Sequence, residues 1–223
     1  MPRRYNSQET IEMILSAAMK LFSEKGFDKT SMQEIVEESG VSKGSIFHHF
    51  NSKEEILVAV MIRQAKMHEQ ITSKWLAEIK GITAKEKMIT LLDRILKDAE
   101  GDTLGAHFAK SKSPQMILSA MQGSLNIAAP VYAQVFKEGI EDGSITTDYP
   151  DECAQVFTLI MNFWCDTLIF ECDANALVNR TKFFQQMMKQ LGADVISDEL
   201  VSRILKINEN YINGGIQNGS DSK

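Results

Sequence analysis

Residues 40–55 read GVSKGSIFHHFNSKEE, and their glycine and serine positions predict a turn followed by a very short helix. Ser42 suits a helix N-cap, because its hydroxyl can accept a hydrogen bond from an amide three residues on. Residues 43–49 are too few to persist as an isolated helix, since nucleation costs more than about two turns recover. We therefore expect this segment to pack on its neighbours through Ile46 and Phe50.

Amphipathic segments precede and follow this stretch. Apolar residues recur at helical spacing between positions 11 and 22 and stop before Gly26, which predicts a first helix. The sequence TSMQE at 30–34 can form a capping box and begin a second, short helix that ends at Gly40. Another capping box at 52–55 begins a long fourth helix.

Two short helices joined by a three-residue turn form a helix-turn-helix, which presents its last helix outward, where it fits the major groove of DNA. The last helix supplies short or cationic donors and one glycine that allows close approach: Lys43, Ser45, His48, His49 and Gly44. The net charge of the chain is −6. Any DNA binding must therefore depend on local geometry and not on bulk charge.

The rest of the chain predicts a larger helical unit. From 84 to 210 one helical pattern follows another, with breaks expected at Gly101, Ser113-Pro114, Pro130, Gly143, Pro150, Asp173 and Gly192. Residues 214–223 hold little apolar material, so we expect a flexible tail. The fold class predicted is all-α.

The amino-terminal quarter resembles the DNA-binding domain of the TetR family of bacterial transcriptional regulators. The motifs are LF at 21–22, GF at 26–27, TSMQEI at 30–35, GVSKGSIFHHF at 40–50 and SKEE at 52–55. The resemblance implies a cytoplasmic homodimer that binds a palindromic operator and represses transcription until a small, largely apolar effector binds. It implies a DNA-binding domain at 1–54, with the linking fourth helix starting at 52, and an effector-binding and dimerisation domain at 55–213.

Carried over by position, the resemblance implies this DNA-facing set: Thr30, Ser42, Lys43, Gly44, Ser45, Phe47, His48, His49 and Lys53. Thr30, His49 and Lys53 would contact phosphate. Phe47 replaces the family's usual tyrosine and so lacks its phosphate-donating hydroxyl. Arg3 and Arg4 could add contacts from a flexible arm. The alternatives are solvated histidines, ordinary surface lysines, and a Phe47 that packs into the small domain.

Residues 150–170 carry apolar side chains on two sides of one helix, which needs two packing partners. With the broad apolar face of the next helix, this pattern predicts a four-helix interface between two subunits. The interface set is Phe157, Met161, Trp164, Leu168, Phe183, Phe184, Met187 and Met188. The alternative is a larger core within one chain.

An effector cavity is implied by the resemblance, and flexible methionines suit an adaptable apolar lining. The candidate lining is His107, Phe108, Met116, Met121, Gln122, Leu125, Asn126, Asn162 and Phe163. An effector that prefers one tilt of the fourth helix would shift operator affinity by changing the spacing of the recognition helices.

Other classes of protein fit the sequence less well. It has no Gly-rich phosphate loop, HExxH or GxSxG, and its possible acid/base groups are scattered, so we predict no enzyme, metal or cofactor. No stretch resembles a signal peptide or a membrane span. Cys153, Cys165 and Cys172 suit buried thiols. A metal or redox sensor, or a protein-interaction adaptor without operator binding, remains the alternative.

Overall fold

The computed structural model describes residues 6–99, 114–166, 169–170 and 172–206. All regular structure in these ranges is helical, which confirms the predicted fold class. The helices are α1 Ser7–Lys25, α2 Met32–Ser39, α3 Lys43–His49, α4 Lys53–Glu78, α5 Ala84–Ala99, α6 Pro114–Gly123, α7 Ala129–Glu141, α8 Pro150–Leu159 and α9 Ala174–Gln190, and α10 at 198–206.

The described residues divide into two compact units, of which the first comprises 6–66 and 114–123. Side chains from α1, α2, α3, α4 and α6 meet in its core, including Ile14, Phe22, Ile35, Ile46, Ile56, Leu57, Val60 and Met116. The unit extends beyond the expected boundary at 54 because the first two turns of α4 bury their apolar side chains in this core.

Local hydrogen bonds define the first three helices much as the sequence predicts. The hydroxyl of Ser31 accepts from the amide of Glu34 at 3.3 Å, and the Glu34 carboxylate accepts from the Ser31 amide at 2.8 Å. This capping box uses Ser31 and not Thr30 as the N-cap of α2. Gly26 and Gly40 end α1 and α2 with φ of 89° and 65°, the left-handed side of the map that glycine tolerates.

The second unit comprises residues 67–99 and those described from 124 to 206. Its core gathers around Phe157 of α8, whose ring centroid lies 5.5 Å from that of Tyr132 and 5.6 Å from that of Phe184. Met88, Leu91 and Leu92 of α5 complete the core. Aromatic pairs at these separations add specific packing to the burial of apolar area.

Two π-helical turns lie in the second unit. Ser124–Ala128 joins α6 to α7, and Ile160–Trp164 follows α8. The sequence predicted a break at Pro130, but the wider turn before it accommodates the missing amide, and α7 begins at Ala129. That prediction is therefore wrong.

Most other predicted breaks coincide with helix ends. Pro114 and Pro150 begin α6 and α8, Gly143 and Gly192 have φ near 78° after α7 and α9, and Asp173 caps α9 by accepting from the Ala176 amide at 2.7 Å. Gly101, Ser113 and the tail at 214–223 lie outside the described residues. No described helix is both long enough and apolar enough to cross a membrane.

Candidate functional site

α3 is attached to the first unit through one face. Ile46 is fully buried, and Val41 and Phe50 on either side of α3 are buried in the same core. The Ser42 hydroxyl accepts from the Ser45 amide at 3.2 Å and so caps the first turn. Because α3 is this short, its position depends on those few apolar contacts and on the turn at Gly40.

The other face of α3 is open to solvent. The predicted DNA-facing residues on it are exposed or half-buried: Ser42, Lys43, Gly44, Ser45, Phe47, His48 and His49. Phe47 is 43% exposed, so it does not pack into the small domain. The Nζ atom of Lys43 lies 5.9 Å from its ring centroid, and the rings of His48 and His49 are 5.1 Å apart.

Charges in the first unit are arranged so that α3 has no acidic neighbour within its own sequence. Lys20 pairs with Glu38 at 2.7 Å, and the hydrogen bond and charge of Glu38 raise the pKa of Lys20. Lys25 pairs with Glu34. α3 contains no carboxylate, and among the described residues no ion pair involves Lys43. The ammonium of Lys43 is therefore available to an external anion.

Two residues predicted to contact phosphate are engaged inside the protein instead. Thr30 is buried and its hydroxyl donates to the carbonyl of Gly26 at 2.8 Å, so its side chain cannot reach DNA in this conformation. Lys53 donates from Nζ to the carbonyls of Phe27 and Thr30, both at 2.8 Å. Arg3 and Arg4 lie outside the described residues.

The candidate effector residues fall into three groups. His107 and Phe108 lie outside the described residues. Met116 is buried in the core of the first unit, which corrects its assignment to an effector cavity. The others lie at or next to the two π-helical turns: Met121, Gln122, Leu125 and Asn126 near the first, Asn162 and Phe163 on the second. The amide nitrogen of Asn162 donates to the Ser124 hydroxyl at 3.4 Å and links these turns.

The predicted interface residues divide by burial. Phe157, Phe184 and Met188 are fully buried within their own chain, so the assignment of these three to a subunit interface is wrong. Met161, Trp164 and Met187 are half-buried, and Phe183 is 57% exposed. Leu168 lies outside the described residues.

An exposed aromatic surface remains beside α9. The ring centroids of Trp164 and Phe183 are 5.9 Å apart. Arg180 stacks over Trp164 at 5.7 Å and donates to the carbonyls of Trp164 and Phe170 at 3.2 and 3.0 Å. The exposed ring of Phe170 was missing from the predicted interface, because its helical spacing follows a helix that in fact ends before it.

Buried titratable groups in the second unit are neutral at physiological pH. Burial raises the pKa of the Tyr132 hydroxyl to about 12 and that of the Cys165 thiol to about 11. Cys153, Cys165 and Cys172 are free thiols. Within the part of the chain that the structure describes, no group of three or more His, Cys, Asp or Glu side chains could hold a metal ion.

Comparison with known proteins identifies relatives for the helix-turn-helix and for most of the chain. The family model of bacterial regulatory proteins, tetR family, matches residues 14–60. The HTH-type transcriptional regulator UidR of Escherichia coli K12 is 25% identical over 189 residues, which are 83% of this chain and 93% of UidR. Uncharacterized regulator YvdT of Bacillus subtilis is 33% identical over 39% of this chain and 42% of its own length.

Solved structures share the fold. RolR in complex with resorcinol has a TM-score of 0.64 at 18% identity, covering 89% of this chain and 94% of RolR. FadR of Bacillus subtilis in complex with stearoyl-CoA has a TM-score of 0.55 at 18% identity, covering 91% and 98%. With the helix-turn-helix geometry and the regulator relatives, this chain belongs to the tetR family of bacterial regulatory proteins and is a helix-turn-helix transcriptional regulator.

Proposed function

We propose that the protein is a repressor that binds a palindromic operator as a homodimer, with α3 of each subunit in a major groove. The observation that carries the proposal is the exposed, carboxylate-free face of α3, with Lys43 outside every ion pair among the described residues. Lys43, Ser45 and His48 would reach base edges or flanking phosphates, and His49 would reach phosphate. The DNA-binding part would be residues 1–54 and the effector-binding and dimerisation part residues 55–213.

The proposed dimer forms through the aromatic surface of Trp164, Phe170 and Phe183. Two exposed rings and a stacked arginine make this surface suitable for burial against an identical copy, since aromatic residues and arginine are enriched at interface centres. A two-fold axis would also present two α3 helices to half-sites roughly 34 Å apart. Met161 and Met187, which are half-buried, would add to the same interface.

The proposed effector is a small, largely apolar molecule bound beside the paired π-helical turns. Such turns are frequent at functional sites, and the Asn162–Ser124 hydrogen bond supplies polar groups next to the apolar Leu125 and Phe163. RolR and FadR were solved with resorcinol and stearoyl-CoA, which supports a ligand site in this fold. A differential affinity of about 2–3 kcal/mol would change operator affinity by one to two decades.

The test is selection of bound fragments from the host genome, followed by titration of a selected duplex at several salt concentrations. Lys43→Gln should weaken operator binding and reduce the slope of log K against log salt by about 0.9 for each phosphate that the variant no longer neutralises. The matched control, Lys74→Gln, changes an exposed lysine of the second unit and should alter neither quantity. Absence of any selected fragment, or equal effects of both variants, would contradict operator binding and favour an adaptor.

The effector site is tested on the same operator complex. Small phenols and acyl compounds are added to the wild type and to Asn162→Leu, which keeps the side-chain size and removes the amide. A compound that releases the wild type at lower concentration than the variant supports the site, whereas identical release contradicts it. The proposed role requires no catalytic group, and binding to chromosomal DNA implies a cytoplasmic protein.

A further inference from the structure

Lys53, the first residue of α4, reaches back across the first unit to the turn between α1 and α2. Its ammonium donates to the carbonyls of Phe27 and Thr30, which lie 26 and 23 positions earlier, at 2.8 Å each. It also lies 4.3 Å from the centroid of the Phe27 ring. An ammonium has three donors, so two are used on the protein itself.

The turn that Lys53 contacts is ordered by several further bonds. The Thr30 amide donates to the Phe27 carbonyl at 3.1 Å, and the Thr30 hydroxyl donates to the Gly26 carbonyl at 2.8 Å. The ring of Phe27 is buried and packs edge-on against Phe22 at 5.2 Å. Since hydrogen bonds from a charged donor are stronger than neutral ones, Lys53 adds the stronger kind of bond to this turn from α4.

This turn leads directly into α2. Ser31, the N-cap of α2, follows Thr30, and α2 connects to α3 through only three residues, 40–42. A shift at the start of α2 is therefore transmitted to α3, and a misplacement of about 1 Å is enough to spoil hydrogen bonds with base edges.

We infer that Lys53 is a positioning residue for DNA recognition: its ammonium holds the turn at 27–30, and with it α2 and α3, in the orientation that reads the operator, and it does not bind phosphate. The inference rests on the proposed operator binding. It separates Lys53 from Lys43, whose ammonium is exposed on α3.

The first experiment measures the salt dependence of binding by the full-length protein to the operator and to a random duplex of equal length. Lys53→Met should lower operator affinity at least tenfold while leaving the salt slope and the affinity for the random duplex unchanged, because the variant neutralises as many phosphates as the wild type. Lys53→Arg, which keeps donors for both carbonyls, should recover most of the operator affinity. Lys43→Gln is the matched control and should reduce the slope.

A reduced slope for Lys53→Met, with parallel loss of random-duplex affinity, would overturn the inference. So would an Arg variant no better than the Met variant. General damage to folding would lower both affinities and the thermal midpoint together, and neither the separation of the two duplexes nor the rescue by arginine would then be seen.

A second measurement uses the wild type alone. The Lys53 ammonium, observed by nitrogen-15 NMR, should exchange its protons slowly in free protein, and its resonance should acquire no coupling to phosphorus-31 when operator is added. Coupling to phosphorus would overturn the inference, and so would fast proton exchange in the free protein. If no operator is bound at all, the proposed function fails separately, and proton exchange still tests the carbonyl contacts.

Discussion

The Nη1 atom of Arg63 on α4 lies 3.2 Å from Oε2 of Glu12 on α1. The same nitrogen donates to the Ser16 hydroxyl at 3.0 Å, and Nη2 lies 3.6 Å from the sulfur of Met19. The Arg63 side chain is 18% exposed and that of Glu12 is 51% exposed. α4 is thus attached to α1 by a polar contact at its rim as well as by the shared apolar core.

The Arg63–Glu12 pair should contribute little by itself. Because the carboxylate is half exposed, we expect a coupling free energy below about 1 kcal/mol in a double-mutant cycle of Arg63→Ala and Glu12→Ala. Arg63→Ala alone should cost more than Glu12→Ala, since it also removes the interactions with Ser16 and Met19. Urea unfolding of the four proteins measures both quantities, and a coupling of several kcal/mol would contradict the expectation.

Gly40→Ala and Gly44→Ala should change stability in opposite directions. Gly40 has φ of 65°, where a Cβ meets no neighbour but strains the backbone, so alanine should cost about 1–2 kcal/mol. Gly44 is helical and its Cβ position is also open, so alanine should stabilise α3 by about 0.5–1 kcal/mol.

The glycine pair also separates folding from DNA binding. If α3 enters the major groove, the methyl group of Gly44→Ala should weaken operator binding although the protein is more stable. Thermal unfolding and operator titration of each variant are the measurements. A Gly44→Ala protein that is both more stable and a stronger binder would show that this surface does not approach DNA closely.

The capping box of α2 should make stability depend on pH. The hydrogen bond from Lys25, and then that from the Ser31 amide, lower the pKa of Glu34 to about 2. A depressed folded-state pKa gives stabilisation that is present above the unfolded value of about 4.3 and is lost as pH falls toward 2. Glu34→Gln should therefore be less stable than the wild type at pH 6. Urea midpoints between pH 6 and 2.5 should converge, and a constant difference would contradict this account.

Phe183→Glu should break the proposed dimer. Its ring is exposed beside Trp164 in one chain, so a charge there would be buried without a partner in the assembled protein. Sedimentation should give a folded monomer with weaker operator binding. Leu118→Glu, which introduces the same charge at an exposed leucine of the first unit, should remain a dimer. Dimers in both variants would place the interface elsewhere.

The second unit was less predictable than the first. Helical spacing correctly marked Phe157, Phe184 and Met188 as apolar positions, but spacing does not tell an internal core from a subunit interface, because both bury the same kind of side chain. The π-helical turns were also missed. Their residues have no distinctive composition, and only Pro130 just after the first turn hinted at irregular helix geometry.

Sequence alone was sufficient for the helix-turn-helix, since each of its signals acts within a few residues: the Ser31 and Ser42 caps, the positive φ of Gly40 and the apolar anchor Ile46. Tertiary structure alone decided that Thr30 turns inward and that Lys53 binds carbonyls 23 and 26 positions away. The physical reason is range. A cap or turn is a local equilibrium of the chain, whereas the partner of a long side chain depends on which distant segments the core brings beside it.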